Sequence, residues 1–251
     1  MKTYNPLKIS YPCYCQPKLN GVFAELSPDG WIRSKTGKYF PAVQHLFNEV
    51  KPCFILQGEL YVHGWPLQDI LSAVSPDVPN ALSNQIQFWV YDINVEEPQF
   101  RRRALLVNHV IDELHINLTP TNRIENTAEG NDCFAAYLDH GYEGMIYRDW
   151  NAYPGEGVTK RKPFFDEEFL CIDVIEGKGK RKGHVGRFVL KSLTTGVVFN
   201  CGGGQVSYND LANYWINPPL NKLLTVRYSY KSKDGIPQAA QFIRVRDNLD
   251  L

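Results

Sequence analysis

After Lys162-Pro163 the chain changes texture, and this change constrains the fold more than any other feature. From there on, apolar residues come in short strand-like runs: Glu168–Ile175, Gly186–Lys191, Gly196–Cys201, Leu223–Tyr230 and Gln238–Val245. Five such strands make a small barrel. One stretch breaks the pattern. Tyr208–Ile216 has helical spacing, with Ser207 as N-cap and Asp210 three residues on, and it falls between the third and fourth strands. Before Lys162, strands and helices interleave without a strict repeat. Strands are expected near Val22–Leu26, Phe54–Val62, Ile86–Ile93 and Gly144–Arg148. Helices are expected over Pro66–Val74, with Pro66 in the first turn, Arg102–Leu114 and Asn131–His140. This order predicts an α+β domain of antiparallel sheets rather than a doubly wound sheet. The boundary is expected near Phe165–Glu167, giving domains 1–166 and 167–251.

A chain of 251 residues can bury a real core in two modest domains, so disulfides are not needed for stability. The six cysteines are scattered, the start Met1-Lys2-Thr3-Tyr4 lacks an apolar signal stretch, and no window approaches the roughly 18 apolar residues of a membrane span. A reducing cytoplasm is the expected compartment. Cys13 and Cys15 form a C-x-C without a second Cys/His pair at finger-like spacing, so buried thiols in strands are expected rather than zinc. The net charge of zero hides an asymmetry. Residues 1–166 hold 15 Lys/Arg against 19 Asp/Glu, whereas 167–251 hold 12 against 8. The second part is therefore the better candidate for gripping phosphates.

Lys18 stands in Gln16-Pro17-Lys18-Leu19-Asn20-Gly21-Val22, a lysine beside a tight glycine turn. Such a lysine suits covalent capture of a nucleotide. It is followed in order by Gly58-Glu59-Leu60, Tyr91-Asp92, Glu143-Gly144 and Lys160-Arg161-Lys162. With this series the chain, from about Cys13 to Asp247, resembles the ATP-dependent DNA ligases, in particular their small phage-type two-domain form.

The resemblance implies a nucleotidyltransferase (ATP-grasp-like) domain followed by an OB-fold barrel, without a further DNA-binding domain at either end. It implies ATP as AMP donor, Mg²⁺, and nicked duplex DNA as partner. No membrane partner is expected, nor any oligomer, because no oligomerising segment stands out. If the chain is phage-encoded, its cytoplasm is the host's. Lys18 would attack the α-phosphate, its amine losing its proton through burial or the nearby charges of Lys160 and Lys162. Gln16 would read the adenine edge and Tyr91 would stack on the base, Glu59 would contact ribose or metal-bound water, and Glu143 would bind the divalent ion. Alternation places Lys160 and Lys162 on one strand face toward the α-phosphate. Lys35, with Arg33 beside it on the same expected strand, would approach the 5′-phosphate of the nick. The basic hairpin carrying Lys178, Lys180, Arg181 and Lys182 would hold DNA phosphates. Arg246, with Asp247, would engage pyrophosphate.

Two positions depart from the family's K-x-D-G-x-R: Asn20 replaces the acid and Phe23 the arginine, removing a cation near the 5′-phosphate. The residues alone leave bland readings open. Tyr91 suits a core strand, Thr36-Gly37-Lys38 an ordinary hairpin turn, and Phe100-Arg101-Arg102-Arg103 a solvated helix start. Within the same lysine chemistry stand RNA ligases and capping guanylyltransferases. A nick- or nucleotide-binding protein without turnover is the reading from another class.

Overall fold

The computed structural model describes residues 2–96, 99–107, 116–232 and 234–246. It divides into two compact units, Met1–Lys162 and Pro163–Leu251.

The first unit holds two five-stranded sheets. One is ordered β1 (Lys2–Thr3), β10 (Val158–Arg161), β9 (Gly144–Asp149), β2 (Cys13–Lys18), β8 (Asn122–Ile124). The other is ordered β4 (Ile32–Arg33), β3 (Val22–Leu26), β5 (Ile55–Tyr61), β6 (Gln87–Asn94), β7 (Ile116–Leu118). Pairing is antiparallel except for β1 with β10 and β6 with β7. Among the described residues four α-helices accompany them: α1 (Pro41–Gln44), α2 (Leu67–Val74), α3 (Phe100–Val107) and α4 (Thr127–Asp139).

Two-residue alternation sorts each strand. In β5, Leu56 and Leu60 enter a core with Ala24, Leu26, Phe47, Ile70, Val74, Phe88 and Val90, which leaves Gln57 and Glu59 on the opposite face. A second core packs Cys13, Cys15, Met145 and Tyr147 with Tyr137 of α4. Burial pushes the Cys13 and Cys15 thiols up to about 12, which keeps them protonated and inert. Helix α4 starts where Asn126 Oδ1 accepts from the Glu129 amide, while Glu129 reaches back to the Glu125 amide. Pro66 stands one step before α2 as its N-cap, in extended conformation, rather than inside the first turn. The helix expected over Arg102–Leu114 is seen as Phe100–Val107, and residues 108–114 of the expected range lie outside the described residues.

The second unit is a closed barrel of β11 (Phe165–Glu176), β12 (Val185–Lys191), β13 (Val198–Gly202), β14 (Leu223–Tyr228) and β17 (Gln241–Val245), with the ribbon β15 (Tyr230–Lys231) and β16 (Pro237–Gln238). Phe169, Cys171, Phe188, Leu190, Leu224, Val226 and Phe242 fill its interior. Helix α5 (Tyr208–Ile216) lies between β13 and β14 and is capped by Ser207, whose Oγ accepts from the Asp210 amide and donates to its carboxylate. The seams are uneven: β11 and β14 pair over six residues each, whereas among the described residues β13 and β17 join at Gly202 and Gln241 alone. Strand β11 begins three residues earlier than its apolar pattern suggests. Phe165 and Asp166 already pair with Tyr228 and Arg227, and Asp166 binds the Arg227 guanidinium at 2.8 and 2.7 Å. Phe165–Glu167, expected as the boundary, is thus the start of the strand.

Candidate active site

Strand β2 ends at Lys18. Its register with β9 pairs Gln16 with Ile146 and Lys18 with Gly144, and β10 pairs Lys160 with Ile146. Paired residues share a sheet face, so Gln16, Ile146 and Lys160 form one row. Lys18 follows Gln16 by two residues and Lys162 follows Lys160 by two. Arg161 turns the other way, to Tyr147 Oη and Asn131.

Glu143 stands directly before β9, and its amide donates to the Lys18 carbonyl at 3.1 Å. Its carboxylate accepts from Lys18 Nζ through Oε2 and from Lys162 Nζ through Oε1. One acid thus ties together two lysines more than 140 residues apart in sequence. Gly144 makes this approach possible. It has φ +156°, and a Cβ there would lie 2.2 Å from the Arg161 carbonyl oxygen.

Glu59 projects from the middle of the other sheet, in register between Phe23 and Trp89. Burial pushes its carboxyl up to about 7; the Glu143 charge adds to the rise, while Lys18 and the Gly21 amide oppose it. Gly21 is needed because β5 fills the space its side chain would take: a Cβ would sit 2.4 Å from Leu60 O and 2.7 Å from Glu59 Cγ. The turn after Lys18 is thereby pressed against Glu59.

Glu59 also links pH to stability. Its folded carboxyl titrates near 7 and its ordinary value is 4.5, so the native state binds the extra proton between these limits. The stability held by this group is full below about pH 4.5 and is lost as pH rises through 7. Glu59→Gln is expected to raise the unfolding free energy at pH 8 by about 3 kcal/mol and to change it little at pH 4.5. Urea unfolding of both proteins at the two pH values checks this; an equal effect at both would refute it.

Behind Lys18 lies a network that sequence reasoning missed. Gln16 is buried, donates from Nε2 to Tyr91 O (3.0 Å) and Thr121 Oγ1 (2.8 Å), and accepts from Arg148 Nε (2.7 Å). Both donors of the amide expected to face adenine are thus engaged within the protein. Arg148 continues to Asp92 Oδ2 (2.9 Å), and Asp92 also binds Arg103 at 2.7 and 3.1 Å. Arg103 is 1% exposed, so the triple-arginine helix start is not simply solvated. Its Nη1 further donates to Ala152 O. The signal was present in part: Asp92 falls inside the apolar run Phe88–Ile93, and a carboxylate there demands a buried cation, but a bulge at Tyr91 pairs Asp92 with Gln57 and so turns it to the face opposite Phe88 and Val90. Tyr91 lies half-buried with the Arg148 guanidinium 5.0 Å from its ring centroid. Burial raises its hydroxyl, which therefore stays neutral.

The remaining candidates stand on other elements. Arg33 is bound to Asp29 at 2.6 Å, and strand β4 ends there, so Lys35 sits in a turn closed by the Gly37 amide on Ser34 O. In the second unit, Lys178, Lys180, Arg181 and Lys182 are exposed on the β11–β12 connection. The Gly183 amide anchors this connection to Glu176. Arg246 Nε lies 3.6 Å from Glu168, and its amide donates to Leu223 O. Asp247, Asn248 and Leu249 lie outside the described residues. Among the described residues, no three His, Cys, Asp or Glu side chains gather as a metal cage, and no helix is long and apolar enough to cross a membrane. The oxygens of Glu143 and Glu59 suit a hard ion that keeps most of its waters.

Residues 176–246 match the family described as the DNA ligase OB-like domain. A DNA ligase of African swine fever virus (isolate Tick/South Africa/Pretoriuskop Pr4/1996) is 28% identical over 274 residues, covering 94% of this chain and 64% of that protein. The ligase of the Badajoz 1971 Vero-adapted strain is 28% identical with the same coverage. The chain therefore spans less than two thirds of these relatives. A structure from work on Lig E DNA ligases as a minimal DNA-binding scaffold superposes with a TM-score of 0.84 at 21% identity, over 98% of this chain and 97% of that one. Chlorella virus DNA ligase-adenylate gives 0.52 at 21% identity, over 98% and 96%. The bacteriophage T7 ATP-dependent DNA ligase in complex with ATP gives 0.52 at 15%, over 98% and 97%.

Proposed function

We propose that this chain, whose two units have the fold of the ATP-dependent DNA ligases, seals 5′-phosphate/3′-hydroxyl nicks in duplex DNA through a lysyl-AMP intermediate. One observation carries the reading: Lys18 and Lys162 converge on Glu143 while Glu59 lies beneath the Lys18 turn.

The chemistry is three displacements at phosphorus. Unprotonated Lys18 Nζ attacks the α-phosphorus of ATP; a P–N bond forms, the P–O bond to pyrophosphate breaks, and the amine's proton passes to water or a carboxylate. An oxygen of the DNA 5′-phosphate then attacks the same phosphorus and regenerates the lysine. Finally the 3′-hydroxyl attacks the 5′-phosphate and AMP leaves, closing the phosphodiester. Each step needs alignment and neutralisation of phosphoryl charge, which lysines supply without a Ser/His pair. Lys160 and Lys162 face the reacting phosphate. The Arg148 network holds Gln16 and Tyr91 where the base would lie. Mg²⁺, held by Glu143 and Glu59, would add charge neutralisation. Exposed cations of the β11–β12 connection would hold DNA phosphates, and Arg246 would meet the leaving pyrophosphate.

Incubation with α-labelled ATP and Mg²⁺, followed by a nicked duplex, tests the reading. A labelled protein that is chased by nicked DNA, with a sealed product, is expected. Absence of the adduct would overturn the proposal, and labelling by GTP in preference to ATP would redirect it to capping chemistry.

A further inference from the structure

Strand β4 is an edge of the sheet whose centre carries Glu59 and Tyr91. Arg33 pairs with Glu25, and Glu25 pairs with Gln57, which places Arg33 on the sheet face shared by Phe23 and Glu59. Two strand spacings separate β4 from β5, about 10 Å. Trp31 precedes Arg33 by two residues and shares its side, and Tyr39 bridges back to Arg33. The Trp31 and Tyr39 rings stand 5.2 Å apart at 72°, and the Arg33 guanidinium lies 5.1 Å from the Tyr39 centroid, held there by Asp29. Both rings are 46% exposed and neither belongs to the neighbouring core. Lys35 and Lys38 are exposed on the adjoining turn. From Asp29 to Tyr39 there are three cations against one acid.

An aromatic pair left open at a sheet edge and surrounded by cations, on the sheet that carries Glu59, matches what unpaired nucleotides need. Rings offer stacking faces to any base, and lysines meet the phosphates between them. We propose that Trp31 and Tyr39, with Lys35 and Lys38, form a platform for unpaired nucleotides of a DNA strand beside the nick. That the bound strand is then joined rests on the ligase reading; the binding itself does not.

The full chain is tested by fluorescence anisotropy with a labelled ten-residue oligothymidylate and with a blunt duplex of equal length. Trp31→Ala with Tyr39→Ala is expected to weaken oligothymidylate binding by about 10- to 100-fold and duplex binding by less than about twofold. An unchanged oligothymidylate affinity, or an equal loss on the duplex, overturns the platform. Crosslinking of wild-type protein to an oligonucleotide carrying 5-iododeoxyuridine needs no substitution: adducts on Trp31 or Tyr39 support the proposal, and adducts only elsewhere overturn it. Lysyl-AMP formation from ATP is measured in parallel. Its absence in the wild type would sink the ligase reading while leaving the platform measurement intact.

Discussion

Lys18→Ala is expected to form no lysyl-AMP and to lower nick sealing from ATP by at least about 10⁴-fold, as loss of a covalent nucleophile does. No neighbour can take over. Lys162 shares the Glu143 carboxylate but reaches it from another strand, and Lys160 lies one row further along the sheet. The protein should remain folded, because the lysine side chain is 18% exposed and Glu143 keeps Lys162 as its counter-charge. Supplying a nick whose 5′-phosphate already carries AMP separates chemistry from structure. The last displacement does not use the Lys18 amine as nucleophile, so the variant should seal that substrate far better than a plain nick with ATP. Equal failure on both, with an intact melting transition, would mean that Lys18 acts otherwise.

Asp92→Ala is expected to destabilise the first unit by about 3–5 kcal/mol, the usual consequence of stripping a buried ion pair of one partner. Asp92 and Arg103 are each 1% exposed, and Arg148 is 7% exposed, so two guanidinium groups would lose their acid away from water. Urea unfolding measures the loss. The effect should extend to nucleotide binding, since Arg148 holds the Gln16 carboxamide and lies against Tyr91. Arg148→Lys would retain a charge but lose the fork that spans Gln16 and Asp92. A raised KM for ATP with little change in sealing of a pre-adenylated nick is expected. If KM is untouched, the network is structural only.

Most of the barrel was legible because strand alternation and helix capping are local. The range Tyr208–Ile216 and its Ser207 cap follow from a few neighbouring residues. Strand β2, by contrast, was foreseen only at its cysteines: Cys13–Lys18 contains a proline and no clear alternation, and its extent to Lys18 is set by pairing with β8 and β9. The same limit applied to the site. Lys18, Glu59, Glu143 and Lys162 were recognisable by order, but the sharing of one carboxylate by two lysines depends on register across β2, β9 and β10. The orientation of Gln16 was not legible either. Its amide looked free for a ligand until Thr121, Tyr91 O and Arg148 were found around it.

The thin seam of the barrel at Gly202 and Gln241 marks where the second unit should yield first under thermal agitation. Amide hydrogens along Phe199–Cys201 and Gln241–Ile243 would then trade with deuterium sooner than those of Phe169–Leu170. Parting there would bare the ring of Phe242, so a hydrophobic dye should report this breathing well below the main melting transition.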